Sequence, residues 1–397
     1  MISFEEAQNI VLSKKTKLSS TQIPILESIG NFYSEDIVAD RNYPPFNRAA
    51  VDGIAFYWDG TSPIKENYIL VGTVFAGEIW KTEIQEYECL RIMTGAPVLK
   101  QLNVLVRVED IYVENNSISF KKAISFSMMQ NIATEGEDIK QHTVVLKKGM
   151  RIIPQHAGTL ASLGYGLVPS FVFLTATILR TGNEIIDPTN EIIASWQIRD
   201  SNSFTIRSLL KDYPININVR SAQDTLEALI EQIEASKSSN ILLLTGGVSA
   251  GDADFVPQAL IACGFTCHFH KVRIKPGKPI WFGTHPNGCV AFGLPGNPFS
   301  VQIGVKVFVE PFIRACFLNT DNTFINKTLI HDRLKKIDFD EFIVANEIAT
   351  GIEVKKHNGS GDISATTFST GMLHHNASIE KLESGMSVHY YPWIKQD

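Results

Sequence analysis

ILLLTGGVSAGDAD, residues 241–254, is an apolar run that ends in two glycines, a hydroxyl, a third glycine and two carboxylates, after which a helical pattern begins. A continuous apolar run of this length suits a strand buried on both faces, as in a parallel sheet. Gly246, Gly247 and Gly251 allow a sharp turn and close approach of a ligand to the backbone. The amides of such a loop, and of the helix start after it, attract anions. About twenty residues on comes HKVRIKPGKP, with Lys271, Arg273, Lys275 and Lys278. Acids suited to a metal and bases suited to phosphate imply an enzyme acting on a phosphorylated substrate.

Working outward, strand and helix patterns alternate from Phe171. VFLTATIL reads as a strand, Ser201–Leu210 as a helix, Ile215–Val219 as a strand and Thr225–Ala235 as a helix. After the strand at Ile241 come a helix through Cys263, a strand over Phe265–Ile274, a strand over Val290–Leu294 and a helix after Pro298. This rhythm predicts a parallel or mostly parallel α/β sheet. Ligands in such sheets bind beyond the carboxyl ends of the strands. RTGNEI, TGGVSAGDAD and PGNP each follow a strand directly, so they are expected to share one rim.

Elsewhere, Ser3-Phe-Glu-Glu6 has capping-box spacing before Ala7, Ile10, Val11 and Leu12, which predicts a helix start. Pro44-Pro45 breaks regular structure, and short strands such as Tyr68–Val71 and Val104–Val108 follow as far as about Thr143. Residues 145–168 turn mixed and helical, so the β-rich block is expected to be an insertion. Short strands return after about Thr320. The expected division is a split α/β domain of 1–42 and 144–170, an inserted β-rich domain of 43–143, an α/β domain of 171–318 and a β domain of 319–397.

A length of 397 residues gives room for roughly two to four domains. The net charge of −6 argues against general nucleic-acid binding, so a local basic cluster reads as a small anion site. Five scattered cysteines without framework spacing fit a reducing compartment. MISFEEAQNI has no apolar h-region and no run is long enough to cross a bilayer, so the cytoplasm is the expected location.

Each motif also has a plainer reading. The glycine loop could be a tight βα connection with Asp252 as helix cap, although Asp252 and Asp254 together suit Mg²⁺, which takes one or two carboxylates with phosphate oxygens and water. A strand over Phe265–Ile274 would put Lys271, Arg273 and Lys275 on one side and Val272 and Ile274 on the other, which is also how a charged edge strand looks. His268 and His270 would share the apolar side, so Cys263, Cys267 and the two histidines read as packing rather than a metal cluster. Asp52 before Gly53 and Thr94 before Gly95 could be turn residues. NIATEGED could be a solvated acidic loop. No HExxH or P-loop sequence is present.

In order and at family spacing, NRAAVDGIAF (47–56), RIMTGAP (91–97), NIATEGEDI (131–139), RTGNEI (180–185), TGGVSAGDADF (245–255), KVRIKPGKPIWFG (271–283) and GLPGNPFSV (293–301) resemble the molybdopterin molybdenumtransferase family, MoeA in bacteria and the E domain of gephyrin in animals. The resemblance implies an elongated homodimer of four-domain subunits. Each would have a β-rich insertion, a MogA-like α/β domain and a small C-terminal β-barrel, with the active site in a cleft using both subunits. It implies binding of adenylylated molybdopterin, insertion of molybdate into its dithiolene and release of AMP with Mg²⁺, and contact with the molybdopterin adenylyltransferase. Carried over by position, the catalytic residues are Asp52, Thr94, Asp138, Glu184, Asp224, Lys275 and Lys278. Gly246, Gly247, Ser249, Gly251, Lys271, Pro295, Pro298 and Ser360 would bind substrate, and Glu184 and Asp254 the metal. Asn47 and Asn183 stand where the family usually carries Asp, and Val344 about where it carries arginine. A related pterin adenylyl- or phosphoryltransferase and a molybdopterin-binding scaffold are the alternative readings. Asp52, Thr94 and the β-rich insertion weigh against the first, and the intact acid and lysine set against the second.

Overall fold

The computed structural model describes residues 1–121, 125–249, 254–318, 323–335 and 337–394. It divides into two compact units, residues 36–147 with 158–166, and residues 1–35 with 148–157 and 167–397.

The smaller unit is built on a six-stranded sheet in the order Val104–Arg107, Gly53–Phe56, Glu88–Ile92, Asn67–Val74, Ser117–Phe120 and Ile111–Glu114. Side chains alternate across a strand, and here both faces are covered. Ile54, Phe56, Cys89, Val104 and Val106 join one apolar cluster, whereas Ala55, Leu90, Ile92 and Leu105 join the other. Gly53 sits where the strands approach too closely for a side chain, since a Cβ there would lie 2.0 Å from the Val106 carbonyl oxygen.

The larger unit holds a second six-stranded sheet in the order Ile215–Ala222, Leu174–Thr181, Ile241–Thr245, Val290–Leu294, Trp281–Thr284 and Thr266–His270. The first four strands run parallel and the last two antiparallel. Every residue of Ile241–Thr245 is buried. Ile241 and Leu243 enter one core, and Leu242 and Leu244 the other, which accounts for the unbroken apolar run.

One strand differs from the reading of the sequence. It stops at His270 because Lys271 turns into the left-handed region at φ 75°; Val272 then bridges Ile2, and a second strand forms at Ile274–Lys275 in another sheet. Val272 and Ile274 are buried as expected, while His268 and His270 are only half-buried on either side of the buried Phe269, with the His268 ring packed against the core residue Phe282. The register shift between Cys267 and Phe269 contributes to this. The strand Trp281–Thr284 lies in KPIWFG, where proline and glycine conceal it.

Ile274–Lys275 is the edge of a third sheet, continuing through Asp340–Ile348, Gly371–His375, Ser387–Pro392 and Ile325–Thr328. The N-terminal helix Phe4–Ser13 is capped as its spacing predicts, with the Ser3 hydroxyl accepting from the Glu6 amide at 3.1 Å. Phe4 packs edge-on against Phe308, in the helical segment Val305–Val309, and Phe342, on the strand Asp340–Ile348, fastening the N-terminal helix to both. No helix among the described residues is long and apolar enough to cross a membrane.

The helical run after Asn297 passes from Pro298–Gly304 through a π-helical segment, Val305–Val309, into Glu310–Leu318. It carries a buried ion pair, Lys306 to Glu310 at 2.9 Å, and the Tyr213 hydroxyl donates to Glu310 at 2.8 Å. Burial, with Glu310 alongside, lifts the Tyr213 phenol far above its ordinary range. Lys306→Met leaves Glu310 as an uncompensated buried charge and is expected to cost about 3–5 kcal/mol in chemical denaturation. Lys306→Met/Glu310→Leu is expected to recover part of that loss.

Candidate functional site

The ends of three parallel strands are stitched together. The Gly246 amide donates to the Leu294 carbonyl at 3.0 Å, and the Thr181 hydroxyl donates to the Thr245 carbonyl at 3.1 Å. A Cβ at Gly246, whose φ is 91°, would meet the Thr181 hydroxyl oxygen at 2.8 Å. The loops RTGNEI, TGGVS and PGNP therefore meet at one rim, and a cleft of about 760 Å³ opens there, lined by Arg180, Glu184, Asn202, Gly246, Asn297 and Pro298 among others.

Each side chain there is placed by a neighbour. Arg180 donates to Ser221 at 2.8 Å and to the buried Asp200 at 3.2 Å. Asp224 accepts from the Asn183 amide at 3.1 Å while the Asn183 side-chain oxygen accepts from the Asp224 amide at 3.4 Å. Asn183 thus supplies the acceptor that an aspartate would. The Glu184 carboxylate folds back over Gly182, where a Cβ would lie 2.8 Å from both of its oxygens. The Asn202 amide donates to the Gly296 carbonyl at 2.8 Å, while its buried side-chain oxygen has no hydrogen-bond partner.

A second cleft of about 920 Å³ shares Gly296 and Asn297 with the first. It gathers Ser249, Lys275, Lys278, Pro295 and Ser360. Asn297 donates to the Ser360 hydroxyl at 2.8 Å, and the Ser360 carbonyl accepts from the Phe299 amide at 3.1 Å, which fixes the NGSGD turn against PGNP. Lys271 lines neither cleft. Val344 is fully buried in the core, and the arginine of this wall is Arg333, one of three titratable lining residues, with Glu341 and His357, that the sequence reading missed. Nothing in the spacing of RLKKIDFDEF marks Arg333; its place depends on strand pairing. Gly247 continues the glycine turn, but Gly251 and Asp252 fall outside the described residues, so Asp252 as a helix cap does too. Asp254, next along, is half-buried and partnered.

The smaller unit has its own constellation. Around Arg48–Ala50 three separate motifs are sewn together: Arg48–Ala49 pairs with Ile132–Ala133, Ala49 exchanges backbone bonds with Gly95 and Ala96, and the Val98 amide donates to the Asn47 carbonyl. Asp52 and Thr94, separately readable as turn residues, are partners. The Thr94 hydroxyl and amide both donate to one Asp52 oxygen, at 2.6 and 2.7 Å. These bonds hold the Asp52 carboxyl below the usual carboxylate range. Asp138 is exposed in a loop held by the Tyr43 carbonyl, and Asn47 caps that loop by accepting from the Glu135 amide at 3.0 Å.

His268 bonds Thr284 at 2.9 Å, and His270 donates to the Val248 carbonyl at 2.9 Å, which ties the glycine loop to the antiparallel edge of the sheet. Burial pushes the Cys89 and Cys289 thiols up to about 12, the behaviour of inert packing cysteines. Among the described residues no three His, Cys, Asp or Glu side chains form a metal-sized group.

Removing the Thr94 hydroxyl takes away the largest influence on Asp52. Thr94→Val is therefore expected to raise the Asp52 carboxyl toward its ordinary value. Titration by NMR of wild type and variant checks this, and an unshifted Asp52 would refute the pairing.

Residues 2–164 match the family described as "MoeA N-terminal region (domain I and II)", and residues 177–315 match "Probable molybdopterin binding domain". A molybdopterin molybdenumtransferase of Staphylococcus epidermidis is 30% identical over 388 residues, covering 94% of this chain and 91% of its own. One from Staphylococcus aureus is 29% identical over 357 residues, covering 88% of this chain and 84% of its own. A crystal structure of a molybdopterin biosynthesis MoeA protein from Pyrococcus horikoshii superposes with a TM-score of 0.87 at 25% identity over 100% of both chains. A second structure of MoeA from that organism gives 0.80 at 26% identity, covering 98% of this chain and 99% of its own.

Proposed function

This chain belongs to the molybdopterin molybdenumtransferase family, and we propose that it inserts molybdate into the dithiolene of adenylylated molybdopterin with release of AMP. The observation that carries the proposal is the pair of clefts joined at Gly296 and Asn297. One is a glycine-walled rim at the carboxyl ends of parallel strands, where a pterin pyrophosphate would lie against Gly246 and Gly247 with Pro295 and Pro298 shaping the turn. The other carries Lys275, Lys278, Ser249 and Ser360, suited to an oxyanion or a phosphate.

The residues do distinct jobs in this reading. Molybdate and the phosphoanhydride are both multiply anionic, so lysines and fixed amides offset their charge and stabilise the charge that develops as the P–O bond to AMP breaks. Asp224 positions the loop that presents Glu184, Asp52 stays ionised, poised by Thr94, and Asp138 stands in its exposed loop. Magnesium fits the donor set. Glu184, which lines the 760 Å³ cleft, and Asp254 are hard oxygen ligands, the kind of which this ion takes one or two before completing its shell with phosphate and water. That ion would neutralise phosphate charge. No soft protein ligand is required, because the sulfurs that capture molybdenum belong to the pterin. Lys271, outside both clefts, contributes through its backbone turn or a more distant substrate contact.

The same reading takes the chain as four domains at the boundaries drawn from the sequence, working in the cytoplasm as a homodimer that receives its substrate from the adenylyltransferase. Sedimentation of the purified protein tests the dimer.

Two variants test the chemistry. Asp254→Ala is expected to keep the fold and nearly abolish metal-dependent AMP release, a loss of several kcal/mol in transition-state stabilisation. Turnover within about twofold of wild type at equal metal would overturn that assignment. Lys275→Ala is expected to weaken affinity for adenylylated molybdopterin or molybdate by about tenfold to a hundredfold, at an almost unchanged melting temperature. Calorimetric titration reads the affinity, and unchanged binding would exclude Lys275 from the site.

A further inference from the structure

Glu341 is the one acid among the described residues lining the 920 Å³ cleft, whose cations are Lys275, Lys278 and Arg333. Backbone pairing puts it there: Lys275 lies directly opposite Glu341 in the parallel register of Ile274–Lys275 with Asp340–Ile348. One Glu341 oxygen accepts from Arg333 at 2.5 Å, and the other stands 3.7 Å from the Lys275 ammonium. The carboxylate is only 10% exposed, whereas the Lys275 side chain is 60% exposed. Arg333 is held from behind as well, by Nδ1 of the buried His375, whose Nε2 donates to the Ile379 carbonyl at 2.8 Å.

Arg333 is committed to Glu341, and Lys275 is held loosely by the same carboxylate. At equal distance a carboxylate in the wall repels an incoming oxyanion as strongly as a lysine attracts one, and the repulsion is little screened in a recess. Removing it would give tighter binding, but tight binding of a substrate that must be handed on gains nothing in turnover. We propose that Glu341 limits the affinity of this cleft for its oxyanion, positioning Arg333 and countering Lys275, so that the bound anion is delivered to the pterin rather than stored. The proposal rests on the reading that the cleft takes molybdate.

The test titrates wild type and Glu341→Gln with molybdate, a dianion, and with perrhenate, a tetrahedral monoanion. Gln keeps an acceptor for Arg333 and removes only the charge. Molybdate affinity is expected to rise by at least about tenfold and perrhenate affinity by about the square root of that factor, because electrostatic energy scales with ligand charge. In turnover, the KM for molybdate is expected to fall and kcat to fall with it. A purely structural role predicts the opposite sign, since a loosened Arg333 would weaken both anions. Unchanged or weaker molybdate binding by folded Glu341→Gln, or equal gains for the two anions, overturns the proposal. If wild type itself does not bind molybdate, the assignment of the cleft fails instead. Should Glu341→Gln not fold, the Arg333→Gln/Glu341→Gln variant removes the pair together and is expected to bind molybdate within about fivefold of wild type; a larger loss overturns the proposal.

Discussion

Everything at the rim depends on how closely three parallel strand ends approach one another. The Gly246 amide reaches the Leu294 carbonyl, and the Thr181 hydroxyl reaches the Thr245 carbonyl, so no Cβ fits at Gly246. This contact brings the glycine turn against the PGNP turn, with a Cβ built on Gly296 only 3.6 Å from the Gly246 Cα. One cleft opens on each side of that junction. A side chain at Gly246 would push the loops apart and separate the anion-binding wall from the glycine-walled rim.

Charge is distributed by the same logic of placement. Lys306 and Glu310 are sealed in the core, where breaking the pair is costly and neither charge is available to a ligand. Lys275 and Lys278 sit on a segment that cannot continue as a strand, because Lys271 reverses the backbone and PGKP makes a turn. The interruption releases Ile274–Lys275 to join the C-terminal sheet, which brings Arg333, Glu341 and Ser360 to the same recess. The charged-edge reading of the basic segment and the anion-site reading thus describe one piece of chain, since the edge strand itself forms a wall of the cleft.

Much of this was legible in residue order. ILLLT suited a strand buried on both faces, and in the structure its side chains do alternate between two cores. The Ser3 cap, the helix Leu226–Glu234 and the sharing of one rim by RTGNEI, TGGVS and PGNP follow from local spacing and from the direction of parallel strands. The motif order was enough to identify the family. What spacing could not carry was any pairing distant in sequence. Asp52 and Thr94 each looked like ordinary turn residues, and their shared hydrogen bonds exist only because Arg48–Ala50 binds two other segments. Val344 is buried and the cleft's guanidinium comes from Arg333, eleven residues earlier, because strand register decides which side chain faces a recess. A local pattern determines which way a strand or helix faces, since that depends on its own period. Only the tertiary structure decides what stands opposite, because hydrogen-bond partners and counter-charges are set by contacts between segments far apart in the chain.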